Sequence, residues 1–253
     1  MEYHNHSDQT ATIFKNLETI HQRIGVACQR SGRIKDDVRL MLVTKTVPAE
    51  VIVQVLKRGE RLIGENLVGE LEEKFQTLQK SNAPEIHFIG PLSVSEFDRI
   101  IRYVDCVQTV DHFQEAQLLN ELLREQQKAM DILIQVNTSR RESNFGISPA
   151  HTIGLALQIA RLEHLRIKGL MTLGMFDCPP EIARSCFRLL KNIYDELILL
   201  DIPGIEMEIL SMGMSDHLEI AIEEGSNMVR VGTAIFGERE MPDSYYWREG
   251  FMP

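Results

Sequence analysis

Lys45 follows the apolar run Leu40-Met41-Leu42-Val43 and Thr44, and precedes Thr46-Val47-Pro48. A lysine amine held near apolar surface gives up its proton more readily and can attack a carbonyl carbon. The run reads as a parallel strand buried on both faces, and Pro48 as the first turn of a helix, so Lys45 falls where strand becomes loop. The alternative is an ordinary solvated lysine at a strand end. Further along, Ser211-Met212-Gly213-Met214-Ser215-Asp216 makes a small turn, and Gly232-Thr233 follows the run Met228-Val229-Arg230-Val231. Hydroxyls and backbone N–H groups in such turns can bind an anion, although Ser215 could equally cap a helix and Gly232 could serve the backbone alone. Arg230 puts a guanidinium inside a strand, where it needs either a carboxylate partner or a ligand acceptor.

An imine-forming lysine, an anion site and a strand arginine together suggest a phosphorylated aldehyde. Pyridoxal phosphate fits, with its aldehyde toward Lys45, its phosphate near Ser215, Gly232 and Thr233, and its ring nitrogen toward Arg230. These residues are far apart in sequence, so the elements between them must bring them together. Apolar runs at 39–44, 61–64, 86–89, 104–109, 132–137, 165–171, 208–210 and 228–231 read as strands. Helix-patterned stretches at 50–58, 68–78, 112–127, 149–161, 180–200 and 216–224 alternate with them. Ser93 and Glu96 have the spacing of a capping box.

Eight strand–helix units in 253 residues predict an α/β fold, a single (β/α)8 TIM-type barrel spanning 1–253. No Gly-x-Gly-x-x-Gly follows the first strand to suggest a dinucleotide fold. Ile13, Phe14, Leu17, Ile20, Ile24 and Ala27 recur at helical spacing and add an N-terminal helix. Residues 1–10 and 241–253 are expected as flexible tails. In a barrel, Glu65, Asn66, His87, Gly90, Asn137, Met214 and Ser215 would join Lys45 at the mouth formed by the strand ends.

With 43% apolar and 25% charged residues the chain has a globular composition, and a net charge of -10 would repel a polyanion, so nucleic acid is not an expected partner. The four cysteines lie without CxxC pairs, and the amino terminus has no signal-peptide pattern, which together predict a reducing cytoplasm. No apolar run has the length to span a bilayer. A monomer is expected because no long exposed apolar stripe is evident.

The chain closely resembles the pyridoxal phosphate homeostasis proteins, a family related in fold to the barrel domain of alanine racemase (PLP fold type III). The resemblance rests on Val43-Thr44-Lys45-Thr46, Ile63-Gly64-Glu65-Asn66, His87-Phe88-Ile89-Gly90, Gly169-Leu170-Met171, Ser211 through Asp216, and Val229-Arg230-Val231-Gly232-Thr233-Ala234-Ile235-Phe236-Gly237, in family order. It implies a Schiff base between Lys45 and pyridoxal phosphate, Arg230 facing the pyridine nitrogen, phosphate contacts from Ser215, Gly232 and Thr233, and Asn66 and Met214 close by. Three departures stand at the rim. Glu96 lies in a stretch that is usually basic, Asn144 replaces a usual lysine, and His217 takes an often acidic place.

An arginine beside the ring nitrogen disfavours its protonation, because two positive charges would then adjoin. That weakens the ring as an electron sink. Racemases of the related fold use a second base, a tyrosine from a partner subunit. Tyr245 and Tyr246 lie in a short polar tail, and His87 reads either as a base or as a satisfied structural histidine. The resemblance therefore implies a non-catalytic carrier that holds pyridoxal phosphate and releases it to apo-enzymes. The alternatives are a small amino-acid racemase and a Schiff-base aldolase acting on a phosphosugar.

Overall fold

The apolar runs become strands β1 (Arg39–Val43), β2 (Leu62–Glu65), β3 (Glu85–Phe88), β4 (Cys106–Val110), β5 (Met130–Gln135), β6 (Leu165–Met171), β7 (Ile205–Ser211) and β8 (Met228–Val231). In the computed structural model, which describes residues 3–81, 83–139, 145–175 and 177–239, these strands pair in chain order and β8 closes on β1. All of the pairings are parallel, so the expected (β/α)8 barrel is formed.

Successive side chains on a strand point to opposite faces, and the barrel uses both faces. Met41, Leu62, Ile89 and Met228 meet inside it, as do Cys106, Leu133 and Met171. Leu40, Leu42, Ile63, Ile86, Val107, Ile132 and Val229 belong to the larger core, shared with the helices. This double burial explains why the strands read as continuous apolar runs rather than as an alternation.

The helices are α1 (Tyr3–Arg30), α2 (Ala49–Leu56), α3 (Val68–Gln79), α4 (Phe97–Tyr103), α5 (Phe113–Glu125), α6 (Thr152–Ile159), α7 (Pro180–Leu200), α8 (Leu218–Glu223) and α9 (Thr233–Phe236). The extra helix α1 buries Ile13, Leu17, Ile20, Ile24 and Ala27, and packs on α8 and α9. It runs back to Tyr3, through most of the stretch read as an N-terminal tail. Residues 241–253 lie outside the described residues. Among the described residues no helix is long and apolar enough to cross a membrane.

Two local expectations change. β7 starts at Ile205 rather than 208: Glu206, which lies outside the apolar run, pairs with Lys168 on neighbouring β6, as Glu208 does. The capping box does not form. Ser93 Oγ pairs with Ser95 Oγ at 2.8 Å, and a short 3-10 turn (Val94–Glu96) precedes α4.

Candidate functional site

At the C-terminal ends of the strands an open cavity is lined by Lys45, Asn66, Met214, Ser215, Arg230, Gly232 and Thr233, together with Val43, Ile89, Met171, Leu173 and Arg239. The seven residues singled out from sequence thus share one cavity, although they span nearly the whole chain. Its remaining wall is largely apolar.

Lys45 is only 4% exposed, and the peptide units on either side of it are held by strand β2 and by helix α3. Thr44 N–H donates to Gly64 O at 3.0 Å, while Lys74 Nζ on α3 donates to Thr44 O at 2.9 Å. On the other side Thr46 N–H donates to Glu70 Oε2 at 2.7 Å. Thr46 has φ of 65°, the left-handed region that a β-branched residue rarely occupies. That backbone reversal directly after Lys45 is held by Glu70, and Glu70 is held in turn by Lys74 at 2.8 Å. Lys74 also reaches Glu65 Oε1 at 3.0 Å, and Thr44 Oγ1 donates to the same oxygen at 2.7 Å. Burial pushes the Glu65 carboxyl up from its ordinary value, against the attraction of Lys74. Glu65 therefore belongs to the support of Lys45 and is not part of the cavity lining.

Among the described residues Arg230 does not find the barrel carboxylate that a structural reading of it requires. Its Nη1 donates to Ser211 Oγ at 2.7 Å and its Nη2 to Thr172 O at 2.7 Å, both neutral acceptors. Desolvation lowers its pKa to about 10. A guanidinium has more N–H donors than these two acceptors use, and Arg230 lines the cavity, so donors remain for a ligand there.

Ser215 is not the cap of α8. That helix starts at Leu218 with His217 at its N-cap, and Ser215 Oγ instead lies 3.4 Å from Thr233 Oγ1. The two hydroxyls join one side of the cavity from the loops after β7 and β8. Space at Gly232 is tight: a Cβ would lie 2.5 Å from Arg239 Nη2, the mobile end of a long side chain, and 3.1 Å from Val43 O. Arg239 follows α9 and turns back toward Gly232, its Nη2 donating to Val43 O at 3.3 Å, so that a cation joins the cavity lining. Sequence reasoning missed it, since a charged residue in Gly237-Glu238-Arg239 gives no periodic signal. Asn66, 4% exposed, is set by the close approach of Gly90, where a Cβ would lie 2.1 Å from Asn66 O.

His87 is held by Glu85 Oε1 and Gln108 Nε2, both at 2.7 Å, inside the barrel and away from the cavity lining. It is a satisfied core histidine rather than a second base beside Lys45. Among the rim departures, Glu96 pairs with Arg99 at 3.7 Å and His217 opens α8, while Asn144 lies outside the described residues, as do Tyr245 and Tyr246.

The family described as alanine racemase, N-terminal domain, matches residues 15–240. The chain is 38% identical to the pyridoxal phosphate homeostasis protein of Pasteurella multocida, over 90% of this chain and 98% of that one. The chain belongs to the pyridoxal phosphate homeostasis protein family. Among solved structures, this family member is similar to a protein of Bifidobacterium adolescentis, with 31% identity and a TM-score of 0.86 over 90% of this chain and 96% of that one. It is also similar to PipY of Synechococcus elongatus solved with PLP bound, with 27% identity and a TM-score of 0.75 over 86% of this chain and 100% of that one.

Proposed function

We propose that this protein holds pyridoxal phosphate reversibly in the cavity at the strand ends, through Lys45, and so buffers the free cofactor in the cell. The observation that carries the reading is the joint placement of a buried amine, a buried guanidinium held by two neutral acceptors, and the Ser215–Thr233 hydroxyl pair around one cavity. When bound, pyridoxal phosphate supplies an aldehyde, the carbonyl that a neutral amine attacks. The donor set fits the molecule. Lys45 offers the amine, the apolar walls of Ile89, Met171 and Leu173 suit a flat ring, and Arg230 offers N–H groups to an unprotonated ring nitrogen. Ser215, Thr233 and Gly232, with Arg239 beside them, suit a phosphate, and Asn66 and Met214 complete the lining.

Two arguments support holding over turnover. A cation at Arg230 keeps a proton off the ring nitrogen, and an unprotonated ring withdraws electrons less well. The relatives are named for homeostasis rather than for a reaction. In this reading the protein works in the cytoplasm as a monomer and hands the cofactor to pyridoxal-phosphate-dependent apo-enzymes.

The test is an absorbance spectrum of the protein with added pyridoxal phosphate, borohydride reduction, and mass spectrometry to locate the adduct. A visible band and a phosphopyridoxyl adduct on Lys45 are expected. No band at any cofactor concentration would overturn the reading. Exchange of the α-proton of amino acids with solvent, at rates above those of free cofactor, would replace the carrier with a racemase.

A further inference from the structure

A line of polar side chains runs through the barrel interior from the cavity to the opposite end. Arg230 Nη1 donates to Ser211 Oγ at 2.7 Å, and Ser211 Oγ donates to Gln108 Oε1 at 2.8 Å. Gln108 Nε2 meets His87 Nδ1 at 2.7 Å, and His87 Nε2 meets Glu85 Oε1 at 2.7 Å. Glu85 opens β3 and bonds Arg39, which opens β1, so the line ends at the N-terminal edge of the barrel. Apart from these two end residues, its members are 3% exposed or less.

Both ends impose one donor direction. An arginine can only donate, so Ser211 Oγ accepts from it, and Ser211 gives its own hydrogen to Gln108 Oε1. A carboxylate can only accept, so His87 Nε2 carries the hydrogen given to Glu85, and its Nδ1 is left as the acceptor for the Gln108 amide nitrogen. Gln108 fits between them in one orientation only. Reversing its amide would set its oxygen against the bare Nδ1, two acceptors facing each other. Such a chain, buried between its ends and hydrogen-bonded from member to member, rigidifies the groups in it.

We propose that Gln108 and His87 are positioning residues for Arg230: through Ser211 they hold its guanidinium in the orientation that presents N–H donors to the cofactor's ring nitrogen. The proposal rests on the functional reading above and deepens it. A structural barrel core needs no polar line of this length, since apolar side chains of similar size would fill the same space without desolvating Arg230, Ser211, Gln108 and His87. Fixing one donor against one acceptor atom of the ligand is a use that the apolar alternative cannot supply.

The experiment compares binding of pyridoxal phosphate with that of its deaza analogue, in which a C–H replaces the ring nitrogen. Gln108→Met and Glu85→Gln are measured beside the wild type, with a thermal melt of each protein. General loosening of the barrel weakens both ligands alike, so the ratio of the two affinities reports on Arg230. The wild type is expected to prefer the nitrogen-containing ring. Gln108→Met should cut that preference by about tenfold, the scale of one hydrogen bond involving a charged group. Glu85→Gln, at the half-exposed far end, should cut it less and in the same direction. A folded Gln108→Met protein with the wild-type ratio overturns the proposal. If that variant does not fold, Glu85→Gln decides, and an unchanged ratio overturns it. A wild type that forms the Lys45 adduct but shows no preference between the two rings also overturns the proposal and leaves the functional reading intact. Failure of the wild type to bind pyridoxal phosphate at all removes both.

Discussion

Lys74 places its ammonium 2.9 Å from the backbone carbonyl of Thr44, the residue immediately before Lys45. The same ammonium holds Glu65 and Glu70, and Glu70 takes the N–H of Thr46 on the other side of Lys45. The amine proposed to bind the cofactor is thus fixed by a second lysine outside the barrel. Lys74→Met leaves the fully buried Glu65 carboxylate without its cation, and breaking such a pair costs about 3–5 kcal/mol. Denaturant melts should show a loss of that size, and the yield of reduced adduct on Lys45 should fall in the protein that remains folded. Adding Glu65→Gln to Lys74→Met should recover part of the stability, because the stranded charge is gone. No recovery would mean that packing by the lysine stem, not charge, is what Lys74 contributes.

Lys45→Ala tests the covalent role. Lys45 is buried at a strand end but is not part of the apolar core, so its loss should change stability by only about 1–2 kcal/mol, within the common range for point changes. The borohydride adduct should vanish from that position. Unfolding under mild conditions would show that Lys45 is structural, and a full-strength adduct elsewhere would move the binding site.

Ser215→Ala with Thr233→Ala tests the anion end. Hydrogen bonds to a charged group are worth about 1.5–3 kcal/mol each, so losing both hydroxyls should weaken pyridoxal phosphate binding by at least about tenfold. Binding of pyridoxal, which lacks the phosphate, should change far less. Equal losses for the two ligands would show that the hydroxyls do not contact the phosphate.

The barrel was legible in sequence because parallel strands covered on both faces must be short, apolar and regularly interrupted, and this chain keeps that pattern from Arg39 to Val231. Residues at the C-terminal ends of such strands share one mouth, which is why Lys45, Asn66, Ser215 and Thr233 could be grouped from sequence. What could not be read was the set of supporting contacts. Gln108 and Ser211 are 103 positions apart, and Lys74 and Thr44 are 30 apart. Nothing in local periodicity couples them. A glutamine or serine in a strand reads as an interruption of the apolar run, and Lys74 reads as the solvated face of α3. Their burial follows from strand register and from helix docking, which set which side chains meet. Arg239 escaped for a related reason, since its role depends on the chain turning back over Gly232 after α9.

Glu115 offers a test away from the cavity. Burial, and then the nearby Asp111 carboxylate, push its carboxyl up from 4.5 to about 7, while His112 works against the shift. Its Oε2 is buried without a hydrogen-bond partner among the described residues. Its place in the first turn of α5 should favour the charged form, since carboxylates are stabilised there by about 0.3–1 kcal/mol. Desolvation is the larger effect. The folded state therefore binds a proton more tightly than the unfolded chain, so stability from this group is complete below pH 4.5 and is lost as pH rises to about 7. At 1.36 kcal/mol for each pKa unit the loss is of order 3 kcal/mol at most, because the side chain is 26% exposed and partly screened. Glu115→Gln keeps the shape and stays neutral at every pH. Denaturant melts should therefore show variant and wild type equal near pH 4, with the variant the more stable at pH 8. A difference that is the same at both pH values would show that the carboxyl titrates normally and that the helix terminus or His112 outweighs its burial.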